Sequence, residues 1–172
     1  MIIVLREVAL SDGVKLTKWR NSLKVVRHCI DKTEITEETN RRFYEEMIAT
    51  GKYKQFIVES LDEQFGGIFS YQIGTVYFKD IDSENRKCEL GMFPSDDDEW
   101  NSEGQVIAVK QMIFKAFNEM GMHKIYAYVF SDCTEEIELL QSCGFKTEGI
   151  FKEEIFDQEE YRDITRLSII KQ

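Results

Sequence analysis

Residues 54–93 limit the possible folds more than any other stretch. Three strand-like runs lie there, "KQFIVES", "FGGIFSYQIGTVYF" and "KCELGMF". Their β-branched and aromatic residues suit a pleated, half-buried surface. Only "LDEQ" and "KDIDSENR" separate them. Parallel neighbours need a crossover of a dozen or more residues, so connections this short force antiparallel pairing.

Strand and helix patterns alternate on either side of this block. "IIVLREV" reads as a first strand closed by "SDG". Residues 12–29 predict a helix carrying Val14, Leu16, Trp19, Leu23 and Val26. "TEITEETNRRFYEEMIATG" predicts a second helix. There Thr36 caps orphan amides, Glu37 and Glu38 suit the positive end, Phe43 and Met47 share a face, and Gly51 supplies the stop. Beyond the block, Val106, Val109, Ile113, Ala116 and Met120 fall on one helical face that Gly121 ends. "KIYAYVF" alternates as a strand. "SDCTEEIELLQSCGF" predicts a short helix, with Asp132 and Glu135 as a capping pair and Gly144 as its stop. "EGIFKEEIFDQEEYRDITRLSIIKQ" predicts two closing strands around "DQEE". No repeat or linker interrupts this order. The expectation is one domain over residues 1–172, mixed α/β (α+β), a sheet flanked by helices.

Charge and composition narrow the partners. The formal net charge is −10. Nucleic acid and anionic membrane both require a basic face, so neither is expected as a partner. An acidic face attracts cationic acceptors such as polyamines, and it also serves plain solubility. A chain of 172 residues, 42% hydrophobic and with one proline, supports a single sizeable core. No apolar run approaches the roughly 18 residues of a membrane span. Arg6 and Glu7 interrupt "MIIVLREVAL", so no signal peptide is expected. Cys29, Cys88, Cys133 and Cys143 show no C-x-x-C spacing, and the histidines are His28 and His123 alone. No metal site is expected, and the unpatterned thiols fit a reducing, cytoplasmic setting.

The stretch "WNSEGQVIAVKQM", residues 100–112, places Gly104 and Gln105 at a strand-to-helix turn, after the acidic run "PSDDDE". By itself it reads equally as a phosphate cradle or as an ordinary acidic helix start. Its neighbours add to it. The order of elements, with "LTKWRNSLKVVRHCI", "ENRKCELGMF", "AFNEMGMHKIYAYVFSD", "LLQSCGFKTEGIFKEEIF" and "YRDITRLSI", resembles the GNAT-superfamily N-acetyltransferases across essentially the whole chain. The similarity is to the branch holding ribosomal-protein N-terminal and amino-sugar acetyltransferases. "KWRN" and "GQV" resemble the pseudaminic acid pathway enzymes within it.

The resemblance implies a mixed, mostly antiparallel sheet splayed between the fourth and fifth strands, with acetyl-CoA as cosubstrate in the gap and no metal. It implies an amine acceptor, small molecule or peptide: an amino-sugar nucleotide or a protein N-terminus first, a polyamine third. It leaves room for a homodimer. Glu89 takes the place of the carboxylate that accepts the amine proton, and amides near Met92 and Phe93 would hold the thioester oxygen. Backbone amides of Ser102, Glu103, Gly104, Gln105, Val106 and Ile107 would meet the pyrophosphate.

The family turn reads Arg/Gln-x-x-Gly-x-Gly/Ala. Here Asn101 stands first, Gly104 keeps the glycine and Val106 replaces the last small residue. Where relatives carry a CoA-contacting asparagine and, seven residues on, a tyrosine that protonates the thiolate, this chain has Cys133 and Leu140. Tyr126, Tyr128 or Cys133 could supply the missing proton. A CoA thiol, with pKa about 8.5 like cysteine, also leaves tolerably unaided. Trp19, Arg20 and Asn21 are candidates for the acceptor pocket, an aromatic and an arginine suiting a base and a diphosphate; Arg27 and His28 stand behind them. The alternative is a GNAT-fold binding protein with weak or no CoA binding, motivated by Ser102, Val106, Cys133 and Leu140 together.

Overall fold

A computed structural model describes residues 1–64, 66–96, 100 and 102–172; the side chains of Gln64 and Ser102 are not described. The chain runs β1 (Ile2–Glu7), a 3-10 turn (Leu10–Asp12), α1 (Gly13–Asn21), α2 (Leu23–Val26), α3 (Glu37–Phe43), β2 (Lys54–Gln64), β3 (Gly67–Asp82) and β4 (Lys87–Pro94). It continues with α4 (Ser102–Phe114), β5 (Lys124–Phe130), α5 (Thr134–Ser142), β6 (Lys146–Asp157) and β7 (Glu160–Ile170). A π-helical turn extends α3 over Tyr44–Ile48 and another extends α4 over Lys115–Glu119.

The seven strands form one sheet in the order β1-β2-β3-β4-β5-β7-β6. Every neighbouring pair is antiparallel except β4 and β5. That parallel pair is short: Lys87 meets Lys124, Cys88 meets Ile125, Glu89 meets Tyr126, and no pairing follows. The expected splay is therefore present, opening after Glu89.

Alternation along the strands sorts side chains to two faces. On one, Val76, Phe78, Cys88, Leu90, Ile125 and Ala127 pack with Val109 and Met112 of α4 and Leu139 and Leu140 of α5. On the other, Ile57 packs with Val8, Leu16 and Trp19, and Phe93 and Tyr44 lie against them. Each large side chain buried this way contributes about 1.5–3 kcal/mol. The helical stripe expected for α4 is in place, with Val109 and Ala116 fully buried.

Local hydrogen bonds move several boundaries. Residues 12–29 are not one helix. Ser22 is extended (φ −67°, ψ 144°), and its hydroxyl donates to the Trp19 carbonyl at 2.8 Å. Serine's local bonding competes with the helix here, and Leu23 beyond it is 86% exposed. "LDEQ" is strand, because Leu61, Asp62 and Glu63 pair with Ser70, Phe69 and Ile68, and Gly66 at φ 78° marks the turn. β3 runs on to Asp82, whose carboxylate accepts from the Asn85 amide at 2.8 Å and shapes the turn into β4. The Thr36 cap forms as expected, accepting from the Thr39 amide at 3.1 Å. The Asp132 cap does not: Cys133 is the N-cap of α5 and makes no side-chain cap bond. Asp132 is held instead by Arg162, at 2.6 Å.

Candidate active site at the splayed strands

Beyond Glu89 and Tyr126 the edges of β4 and β5 face each other without pairing. Met92 points to the α4/α5 core and Phe93 to the α1 side, so the main chain between them borders the gap. This main chain is where the resemblance puts the amides for a thioester oxygen.

Glu89 lies at the last paired rung. It is 8% exposed, and its carboxylate is 3.2 Å from the ammonium of Lys79, its partner across β3 and β4. Burial pushes the carboxyl above its ordinary range, while Lys79 pulls the other way. Three phenols feel its charge. The hydroxyls of Tyr53, Tyr77 and Tyr126 are pushed up first by burial and further by the Glu89 charge, that of Tyr126 to about 12. Tyr77 stacks on Tyr53 at 5.1 Å and lies 6.2 Å from Phe93. Its ring can cross β4 only because residue 91 has no side chain: a Cβ there would sit 2.2 Å from the ring and 2.5 Å from the hydroxyl oxygen. The Tyr77 ring and hydroxyl therefore lie over Gly91, two residues past the last paired rung of β4 and β5. Sequence reading missed Tyr53, Tyr77 and Lys79. The usable signal was Gly91 in the middle of a strand, which often marks a close approach.

The remaining candidates fall into two groups. Tyr126 stands opposite Glu89 with the Arg166 guanidinium 4.4 Å from its ring centre, and Tyr128 accepts a 2.8 Å bond from Arg166. Cys133 heads α5, its sulfur 3.2 Å from His28 Nδ1 and its thiol pushed up, mainly by burial. A thiol held neutral is a poor nucleophile and a weak acid. Residues Ser102 to Ile107 form the first turns of α4: Glu103 is exposed, Gly104 is buried, and Val106 packs on the core. An exposed Glu103 acts through water, where a unit charge about 4 Å from a phosphate costs roughly 1 kcal/mol. These turns fit the proposed contact with a CoA pyrophosphate, since it needs amides alone. Asn101, first in the turn motif, lies outside the described residues, as do Asp97, Asp98 and Glu99.

The acceptor candidates fare differently. Trp19 is 4% exposed in the α1 core, its indole donating to Asp96 at 2.9 Å, so its face is closed to a ligand. Asn21 exchanges both amide groups with the Ile35 backbone, at 2.6 and 2.9 Å, and so ties α1 to the loop before α3. Arg20 donates through Nη2 to the Asp31 carbonyl, and its Nη1 is buried without a partner among the described residues. Arg27 and His28 are exposed and bonded to each other at 3.0 Å.

Leu140 is fully buried against α4. Leu140→Tyr is therefore expected to lower stability by about 1–3 kcal/mol through overpacking, without restoring an acid to the gap. A urea midpoint shifted down with no rate gain checks this; a faster enzyme of unchanged stability contradicts it.

The family model for the acetyltransferase (GNAT) domain matches residues 5–165. An uncharacterized N-acetyltransferase of Bacillus licheniformis is 26% identical over 175 residues, spanning 98% of this chain and 93% of that one. Spermidine N(1)-acetyltransferase of Vibrio cholerae is 20% identical over 169 residues, spanning 98% and 93%. A crystal structure of the spermidine N-acetyltransferase from Vibrio cholerae, in complex with CoA and spermine, superposes with a TM-score of 0.87 at 21% identity, covering 98% and 95%. The match is to the superfamily domain and does not select the ribosomal-protein or amino-sugar branch. With the splay open after Glu89 and a family match spanning both sides of it, the chain belongs to the GNAT acetyltransferases and is an acetyl-CoA-dependent N-acetyltransferase.

Proposed function

We propose that the acceptor is a cationic alkyl amine, a polyamine or a similar primary amine, and that Glu89 removes its proton. One observation carries this reading: a buried carboxylate at the mouth of the splay, with Tyr53, Tyr77 and Tyr126 within reach of its charge. Carboxylate and aromatic faces together suit an ammonium, and a desolvated cation–π contact contributes about 2 kcal/mol. The net charge of −10 favours the approach of a cation. The spermidine acetyltransferase among the relatives agrees with this chemistry. Lys79, bonded to Glu89, favours the ionised carboxylate and so opposes the effect of burial on the proposed base.

An amino-sugar nucleotide is the second reading. It no longer rests on Trp19 or Asn21, which are engaged elsewhere, but on the unpartnered Arg20 Nη1, to which a diphosphate oxygen would supply an acceptor. A panel of spermidine, an amino-sugar nucleotide and an N-terminal peptide, followed by CoA thiol release, separates these. The expected order of kcat/KM places spermidine first. Turnover confined to the nucleotide would overturn the cationic reading.

A further inference from the structure

Strand alternation puts Glu89, Gly91 and Phe93 on one face of β4, with Cys88, Leu90 and Met92 turned to the α4/α5 core. On β5, Ile125, Ala127 and Val129 belong to that core, so Tyr126 and Tyr128 share the face of Glu89 and Gly91. Glu89 and Tyr126 form the last paired rung. Two residues on, Gly91 and Tyr128 stand at the same level on strand edges that no longer pair. Gly91 has no side chain, and the Tyr77 ring of β3 lies over it, 2.2 Å from where a Cβ would stand. The gap at this level is therefore lined by one aromatic ring on each side, Tyr77 over β4 and Tyr128 on β5. Its floor is the rung below, the Glu89 carboxylate and the Tyr126 ring.

Both rings are braced. Tyr77 stacks on Tyr53 at 5.1 Å, and Phe43 meets Tyr53 edge-on at 4.8 Å. Tyr128 accepts a 2.8 Å bond from Arg166 Nη1, and Tyr126 and Phe151 meet its ring edge-on at 5.7 and 6.0 Å. Arg166 is fixed in turn. Its guanidinium lies 4.4 Å from the Tyr126 ring centre and 5.3 Å from that of Tyr128, and its Nε is 3.0 Å from the Glu148 carboxylate. Tyr77, Tyr128 and Arg166 all keep part of their surface exposed, so the slot between the rings is open to solvent.

We propose that Tyr77 and Tyr128 are the walls of an acceptor slot that selects unbranched primary alkylammonium ions, with Arg166 as the positioning residue that holds Tyr128. This rests on the cationic-amine reading above and deepens it. The ammonium meets Glu89 at the floor, and the methylene chain lies between the two ring faces. A second carbon on the nitrogen-bearing carbon would be driven into one of the rings, and neither ring can yield without breaking its bracing. The slot therefore separates the acceptor classes. An amino-sugar nitrogen sits on a ring carbon with two carbon neighbours, as does the terminal nitrogen of a peptide that does not begin with glycine. A polyamine nitrogen sits on a plain methylene.

The test compares putrescine with its analogue carrying one methyl on each nitrogen-bearing carbon, using the full chain, acetyl-CoA and CoA thiol release. One methyl in a fitted pocket changes kcat/KM by about 10–200-fold, and the wild type should favour putrescine by that much. Tyr128→Ala and, on the other wall, Tyr77→Leu should bring the ratio towards one. Arg166→Gln should lower it in the same direction, because Tyr128 loses its brace. Thermal unfolding of each variant shows whether it is folded, and the two walls are independent, so one misfolded variant leaves the other to decide. A lesion that is merely structural lowers both amines together and leaves their ratio alone. A wild type that acetylates both amines equally overturns the proposal, as does an unchanged ratio in folded Tyr128→Ala or Tyr77→Leu. Those outcomes with an active wild type remove the slot alone; a wild type that releases no CoA with any amine removes the parent reading and this one with it.

Discussion

Glu89→Gln is expected to lower kcat/KM for the amine by about 10²–10⁴-fold, the usual contribution of a general base. Glutamine keeps the shape of the side chain and a bond to Lys79, but it cannot take a proton from an ammonium. The pH profile carries the sharper signature. A base must be ionised to act, so activity falls as pH drops through the Glu89 value. Burial places that value above the ordinary carboxylate range, and Lys79 opposes it. The wild-type acid limb should therefore lie above about 4.3, the unperturbed glutamate value. Lys79→Ala should move it higher still, because the cation favouring the charged form is gone. Glu89→Gln should abolish it. The acceptor amine ionises near 10.4 and acts at the other end of the range. An unchanged rate and an unchanged limb in Glu89→Gln would remove Glu89 as the base.

Gly91→Ala is the second large effect. The added methyl would lie 2.2 Å from the Tyr77 ring. The ring cannot simply swing aside, since Tyr53 stacks on it at 5.1 Å and Phe43 meets Tyr53 edge-on at 4.8 Å. Relief requires the aromatic group to unstack or β4 to move at the splay. Overpacking of this kind costs about 1–3 kcal/mol. The loss of activity should exceed what stability explains, because the Tyr77 ring leaves its place over Gly91 where the splay begins. Thermal unfolding and acetyl transfer measured on the same sample separate the two. Gly91→Ala with wild-type stability and rate would show that the ring does not occupy this position in solution. Tyr77→Phe, which removes only the hydroxyl, isolates its share.

Much of the fold was legible in local pattern. The order of strands and helices, the antiparallel block, the Thr36 cap, and the glycine stops at Gly121 and Gly144 (φ 68° and 100°) all follow from period, turn chemistry and caps. The misreadings come from competition for hydrogen-bonding groups and from packing. Ser22 bonds back to Trp19 and breaks a helix whose apolar spacing looked continuous. Asp132 has a capping pattern in sequence, but Arg162, thirty residues away, takes its carboxylate. Trp19 next to Arg20 suggested a ligand surface, whereas packing against Ile57 and Leu16 turned the indole into core.

Sequence by itself pointed to the GNAT superfamily, to a splay between the fourth and fifth strands, and to Glu89, which lies at the last paired rung. These depend on neighbours close along the chain and on an order of elements that any reader of the sequence can see. Tertiary structure decided the rest. Lys79 reads as one more strand cation until cross-strand pairing sets its ammonium 3.2 Å from the Glu89 carboxylate. Gly91 likewise reads as a weak point in a strand until the Tyr77 ring is laid across it. Burial and through-space charge depend on which strands part and where, and no local period encodes that.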